Sequence, residues 1–478
     1  MSASKPVLVS GIIGVALTWS MVAAAAAQDD PAQDRPVMVG GRPVAEAQGV
    51  WRSRGYGYLI KIDESGAKLF HVAGSFCYAD KGGSDGGVSD LIGLYRPYGT
   101  GAIAFSSDRG GTRVVFDRLP GVPDACNDRT RWSAPRVAAL VAATFAELYP
   151  SFQRRKIDWA ARTEAAARAL DEKSDDDTLF KTLKTMLAGI EDPHVELHAK
   201  VKGKEAEFMP GEGKTVGRMR QAFGDEVVDA AEWVPAYRRG ITSIVLQGKG
   251  RSKGKERLYW GRVGDVGYLN ILSMEGLSAR DESGDKAVID AAMDEAVAAF
   301  DGTSAVIVDV TYNLGGFDGV SRQIAGRFAG NRKLAYTKVA HGARDVAPQP
   351  FHVEPSTRPR YLGPVVLVTS DVTVSAGEIF TLLMRALPTV RHVGKTTRGA
   401  LSDMTEKPLP NGWSLSLPAE IYLDAGGLWY EVRGIPPQLE GDVFPADDLS
   451  SGHARRVRYL IDKVQGWFPK VDTAPGAP

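Results

Sequence analysis

Apolar positions recur with a period of two in the first quarter of the chain and with helical spacing after it. Residues 49–62 (GVWRSRGYGYLIKI) alternate and lead into 68–78 (KLFHVAGSFCY); TGAIAFSSD and TRVVFDRL follow. Turn signals (DESGA, GGSDGG, DRGG) separate these runs, so residues 37–131 predict a small all-β domain. At Ser133 the pattern changes. Ser133 suits a helix N-cap and Pro135 the first turn, so RVAALVAATFAELY predicts a helix that Pro150 ends. KIDWAARTEAAARAL predicts a second. TLFKTLKTMLAGI predicts a third, with Leu183, Met186, Leu187 and Ile190 on one face. Together these form a helical subdomain over 132–200.

Residues 201–258 form a connecting region without clear periodicity, and its basic tract QGKGRSKGKER (247–257) reads as a solvated hairpin or loop. Over 259–445 strands and helices alternate, the mark of an α/β core. VGYLNIL predicts a strand, 285–300 a helix, and AVIVDV (305–310) a buried strand ahead of the Gly-rich turn TYNLGGFDG and another helix. PVVLVT (364–369) is continuously apolar and β-branched, as in a strand covered on both faces. Ile379, Phe380, Leu382, Leu383 and Leu387 then predict a helix over 376–387, stopped by Pro388. SLSLPAEIYL (414–423) reads as one alternating strand. The segment 446–478 predicts one amphipathic helix and a Pro/Ala/Gly tail expected to be disordered.

Composition narrows the class. The chain has 58 basic and 58 acidic residues, so it lacks the positive excess that a general nucleic-acid binder needs. Lys5, an apolar run from Pro6 to Val22 and a stretch of alanines ending at Ala27 read as a signal peptide over 1–27. The mature protein is therefore expected to be soluble and exported, to a bacterial periplasm or beyond. An oxidising compartment makes a Cys77–Cys126 disulfide plausible, two separate buried thiols being the alternative. The two cysteines lack the partners of a zinc site, and no metal or cofactor is expected.

Ser375 lies where a buried strand turns into a helix. Serine at such a place commonly caps the helix. It could equally be a nucleophile, because a helix N-terminus offers free N–H groups and a favourable dipole for an oxyanion. A second strand end supplies Asn313-Leu314-Gly315-Gly316, where paired glycines allow close backbone approach. The N–H groups of Gly316 and Ala376 are the natural oxyanion donors.

These residues resemble the C-terminal processing peptidases and their tricorn-core-like and retinoid-binding-protein-like relatives. The resemblance covers about 133–443. It rests on Asp309-Val310-Thr311-Tyr312-Asn313-Leu314-Gly315-Gly316, where Thr311 stands in place of an arginine, on Ser375-Ala376-Gly377-Glu378, and on Gly394-Lys395-Thr396-Thr397-Arg398-Gly399. It implies a mixed-sheet, crotonase-like peptidase core. The lysine that serves one branch as base would follow Gly399, but that position is Ala400. The tricorn-like branch uses a histidine after the helical block and a late glutamate. Here these match Asp192-Pro193-His194 and Glu431-Val432-Arg433-Gly434-Ile435-Pro436-Pro437. The resemblance thus implies Ser375 as nucleophile, His194 as general base and Glu431 as the orienting group. Pro193 replaces a small residue, Gln438 replaces an aspartate, and 201–257 is too short for the usual PDZ domain.

Each assignment has a plainer rival. His194 could be a capping or core histidine, Glu431 a surface carboxylate, and Lys395 an amine base in its stead; the other histidines show no partner pattern. The expected function is a secreted serine peptidase acting on polypeptide through an acyl-enzyme on Ser375. The alternative is a ligand-binding protein for peptides or apolar molecules on the same fold, and the β domain is expected to be structural or to dock to a partner.

Overall fold

The computed structural model describes residues 33–81, 87–224, 233–279 and 281–467. The signal-like segment 1–27 and the tail beyond 467 lie outside them. A seven-stranded sheet organises the rest. Its strands, in spatial order, are Arg251–Lys253, Leu258–Val263, Val266–Ile271, Ala305–Asp309, Val365–Thr369, Val390–Gly394 and Leu439–Glu440. Pairing is antiparallel up to Val266–Ile271 and parallel from there on. The alternation in the two central strands explains their apolar sequences. Val306, Val308, Val365 and Leu367 enter one hydrophobic cluster, with the helices Glu282–Ala299, Asp318–Gly326 and Ala376–Arg385. Ala305, Ile307, Val366 and Val368 enter another, with the helices Trp233–Arg239 and Gly452–Trp467. A strand covered on both faces has no polar side to show, hence the unbroken runs.

The N-terminal region is an eight-stranded antiparallel sheet running from Arg35–Pro36 at one edge to Phe76–Ala79 at the other. Its core is continuous with that of the helices Ala134–Leu148, Trp159–Ala169 and Asp176–Leu187: Trp51, Phe105 and Phe116 share one cluster with Phe145, Leu183 and Leu187. Ser133 does precede the first helix, but its hydroxyl bonds Glu172 rather than capping.

Two further sheets close the molecule over the site. One, in order Lys204–Phe208, Glu196–Val201, Ser414–Pro418 and Met404–Pro408, joins the end of the helical block to the core through pairs such as Glu196 with Ser416. The other contains Gln349–Val353, Lys333–Ala340 and Glu420–Asp424. The run 414–423, expected as one strand, is therefore two strands in different sheets. Pro418, which has no N–H for a ladder, ends the first. The basic tract is a hairpin, its strand Arg251–Lys253 pairing with Leu258–Val263. The region before it holds the helices Lys214–Phe223 and Trp233–Arg239, which the sequence reading did not anticipate. Among the described residues no helix is long and apolar enough to cross a membrane.

Cys77 and Cys126 are joined by a disulfide across a sequence separation of 49. Replacing both with alanine is expected to lower stability by about 2–4 kcal/mol, since an unfolded chain without the loop gains entropy. Urea denaturation of the two proteins checks this, and equal midpoints would contradict it.

Candidate active site

The carboxyl ends of the strands Ala305–Asp309 and Val365–Thr369 lie side by side, and the loops that leave them are bonded together. The Thr373 hydroxyl donates to the Val310 carbonyl at 2.7 Å, and the Ser370 hydroxyl to the Thr311 carbonyl at 2.5 Å. The Val374 N–H donates to the Asn313 carbonyl at 3.1 Å. Asn313 is fully buried and shapes its own turn. Its Oδ1 accepts from the Gly315 N–H at 3.0 Å and its Nδ2 donates to the Ile271 carbonyl at 3.0 Å.

Ser375 follows at the start of the helix Ala376–Arg385 with φ of 56° and ψ of −128°, and its side chain makes no capping bond. The plain N-cap reading does not hold. Non-glycine residues rarely adopt positive φ, and holding one there costs about 1–3 kcal/mol. Its N–H is held by the Ala400 carbonyl at 3.0 Å. The hydroxyl is half-buried and has no hydrogen-bond partner among the described residues. Gly315 lies against it: a Cβ on Gly315 would sit 2.6 Å from the Ser375 Cβ, at a φ of +94° that also favours glycine. The Gly316 and Ala376 N–H groups on either side find no acceptor among the described residues.

Two buried carboxylates hold the segment 397–402 beneath the serine. Glu378 Oε1 accepts from the Thr397 hydroxyl and the Gly399 N–H, and its Oε2 from the Ala400 N–H, at 2.6–2.8 Å. Burial pushes its pKa up to about 7 against these bonds, which favour the ionised form. Glu431 Oε2 accepts from the Leu401 and Ser402 N–H groups at 2.9 and 3.2 Å. Its Oε1 is buried without a partner. Glu431 is fully buried, so the surface-carboxylate reading fails. Burial, then the neighbouring charges of Asp192 and Glu378, raise its pKa well above the ordinary value.

His194 reaches the same segment from the other side. It precedes the strand Glu196–Val201, and its ring lies by the Ser402 carbonyl. Asp192, fully buried, fixes this turn: it accepts from the His194 N–H at 3.1 Å, the Tyr149 hydroxyl at 2.8 Å and Arg155 at 3.1 Å. Asp192 therefore anchors the backbone ahead of the ring. The His194 Nδ1 is buried without a partner, and burial lowers the imidazole pKa below its usual 6.5 despite nearby Asp192 and Asp403.

Ser375, His194 and Glu431 thus meet around one segment, 399–402, with no direct hydrogen bond linking the three. Apo sites commonly show such looseness. Lys395 is elsewhere: it pairs with Asp442 at 2.5 Å and is 37% exposed. Glu378 stands in the serine motif, yet its task of tying 397–400 was not read from it. Three of the other histidines, which show no partner pattern in the sequence, find partners in the fold: His71 bonds Asp80, His392 bonds Thr369, and His453 bonds Thr311.

Part of the chain is similar to known proteins. Residues 265–440 match the model of peptidase family S41. Tricorn protease of Thermoplasma acidophilum is 29% identical over 177 residues, 36% of this chain and 15% of that one. The carboxy-terminal processing protease CtpA of Bacillus subtilis is 31% identical over 80 residues, 17% of each chain. This chain therefore spans under a fifth of the length of either relative. A crystal structure from Parabacteroides merdae, assigned to the peptidases, shares the fold at a TM-score of 0.55 and 23% identity, covering 72% of this chain and all of that one. Mature CPAF does so at 0.52 and 13%, covering 72% and 98%. The similarity to peptidase family S41 thus falls on residues 265–440 of this chain, the part that carries Ser375, Gly316 and Glu431.

Two outcomes test the geometry. Gly315→Ala places a methyl against Ser375 and should abolish any chemistry at that serine while the protein stays folded, as read by circular dichroism beside an activity assay. Glu378 has a folded pKa of about 7 against an ordinary 4.5. Its share of stability is therefore full below pH 4.5 and lost as pH rises through 7. The stability of Glu378→Gln, measured by denaturant titration at several pH values, should lack that decline.

Proposed function

We propose that this chain is an exported serine peptidase that cleaves peptide bonds through an acyl-enzyme on Ser375. The observation that carries the proposal is the strained, half-exposed and unpartnered Ser375 hydroxyl at a helix N-terminus, with Gly315 packed on it. A turn held at this cost usually serves function.

Besides the Ser375 hydroxyl, the buried His194 Nδ1 and Glu431 Oε1 are left without partners, which supports roles for both. In the proposed reaction His194 takes the Ser375 proton as Oγ attacks the carbonyl carbon. The N–H groups of Gly316 and Ala376 receive the oxyanion, and the tetrahedral intermediate collapses as His194 protonates the leaving amine. Water, deprotonated by His194, then releases the acyl group. Glu431 positions the segment whose Ser402 carbonyl meets the His194 ring. The substrate is polypeptide, and export is supported by the Cys77–Cys126 bridge together with the signal-like first 27 residues.

A serine-directed fluorophosphonate should label the wild type, and Ser375→Ala should remove both labelling and peptide hydrolysis. His194→Ala should lower the labelling rate by about 10³-fold or more, as for the loss of a triad base. Absence of labelling in the wild type would favour a ligand-binding protein on this fold. Because His194 must be neutral to act and burial lowers its pKa, kcat/KM should rise with pH along an acid limb centred below 6.5. A limb centred above 7 would point to another base.

A further inference from the structure

Asp309 ends a central strand and is fully buried. A buried carboxylate needs a cation or several donors. The compensation comes from the far end of the sequence. His453, in the first turn of the helix Gly452–Trp467, places Nε2 3.1 Å from Asp309 Oδ2 and 2.9 Å from Thr311 Oγ1. The Thr311 hydroxyl donates to Asp309 Oδ1 at 2.7 Å, so it must accept from His453, and Nε2 carries the proton. The Tyr268 hydroxyl at 2.6 Å and the Thr311 N–H at 3.0 Å complete the shell around the carboxylate. Tyr237 and Phe444 flank the imidazole, with ring centroids 4.7 and 5.1 Å away.

Thr311 is the link to the chemistry. Its carbonyl receives the Ser370 hydroxyl, the neighbouring Val310 carbonyl receives Thr373, and Asn313 two residues on receives Val374. Whatever fixes Asp309 and Thr311 therefore fixes both the glycine turn and the loop that delivers Ser375. We infer that His453 is a positioning residue for the Ser375 site, holding the glycine turn from the opposite face of the sheet. The C-terminal helix is on this account part of the active-site scaffold. The inference rests on the serine-peptidase reading only for its kinetic consequence.

The test uses the full chain with His453→Phe, which keeps the ring packing but loses the donor, and His453→Gln, which keeps a donor near Nε2. Thr311→Val serves as a second route to the same defect should His453→Phe not fold. Two readouts are taken: fluorophosphonate labelling of Ser375, and amide hydrogen exchange of residues 311–317 and 370–377. In His453→Phe and Thr311→Val the labelling rate is expected to fall about 10- to 100-fold, the cost of a small misplacement of reacting groups. Exchange in both segments should quicken, and His453→Gln should recover most of each effect. A lowered melting temperature with wild-type exchange in both segments and wild-type labelling would overturn the inference and leave His453 a core residue. If the wild type itself is not labelled, the peptidase reading falls, and hydrogen exchange alone decides whether His453 holds the turn.

Discussion

The backbone at Ser375 is held where a serine resists going, and much of the core exists to keep it there. Left to itself the residue would relax into an ordinary cap and turn its hydroxyl onto the helix. Three attachments prevent this: its own N–H on Ala400, the Val374 N–H on Asn313, and the close contact of Gly315. Each attachment is itself fixed by something buried. Ala400 hangs from Glu378 and Asn313 from the Ile271 carbonyl. The strain at one residue is thus spread over two loops, a helix and, through Ile271, one strand of the sheet.

Carboxylates do most of this work, and they do it by accepting from backbone rather than by pairing with cations. Glu378 and Glu431 between them take five donors from the segment 397–402. Asp192 and Asp309 also accept from backbone, at the turns leading to His194 and to the glycines, although each has a basic side chain beside it as well, Arg155 and His453. A side chain that accepts from several N–H groups fixes a loop's shape more tightly than a salt bridge would, because each bond constrains a different peptide plane. The cost is burial, and it shows in the raised pKa values of the two glutamates.

How much of this could be read in the sequence depended on whether a signal was local. The buried strands and the serine helix follow from runs of apolar residues, and they stand where expected at 305–309, 365–369 and 376–385. Ser375, Asn313 and the glycines could be found because each motif is contiguous. The break at Pro418 was visible as a proline but lost in an otherwise perfect alternation. The helix Lys214–Phe223 escaped because three cationic residues and a glycine dilute its apolar face. His453 could not have been found at all: its partner Thr311 is 142 residues away, and no pattern on its own helix marks it.

The pairing of Glu196 with Ser416 has a consequence for the order of events in the life of the chain. The strand that follows the histidine finds its partner in the core only among residues made some two hundred positions later. A ribosome that has released just the first four hundred residues has produced His194 and Ser375, yet not the strand Ser414–Pro418 that ties the end of the helical block to the core. The segment that carries His194 is consequently among the last parts of the molecule to be fastened to the core.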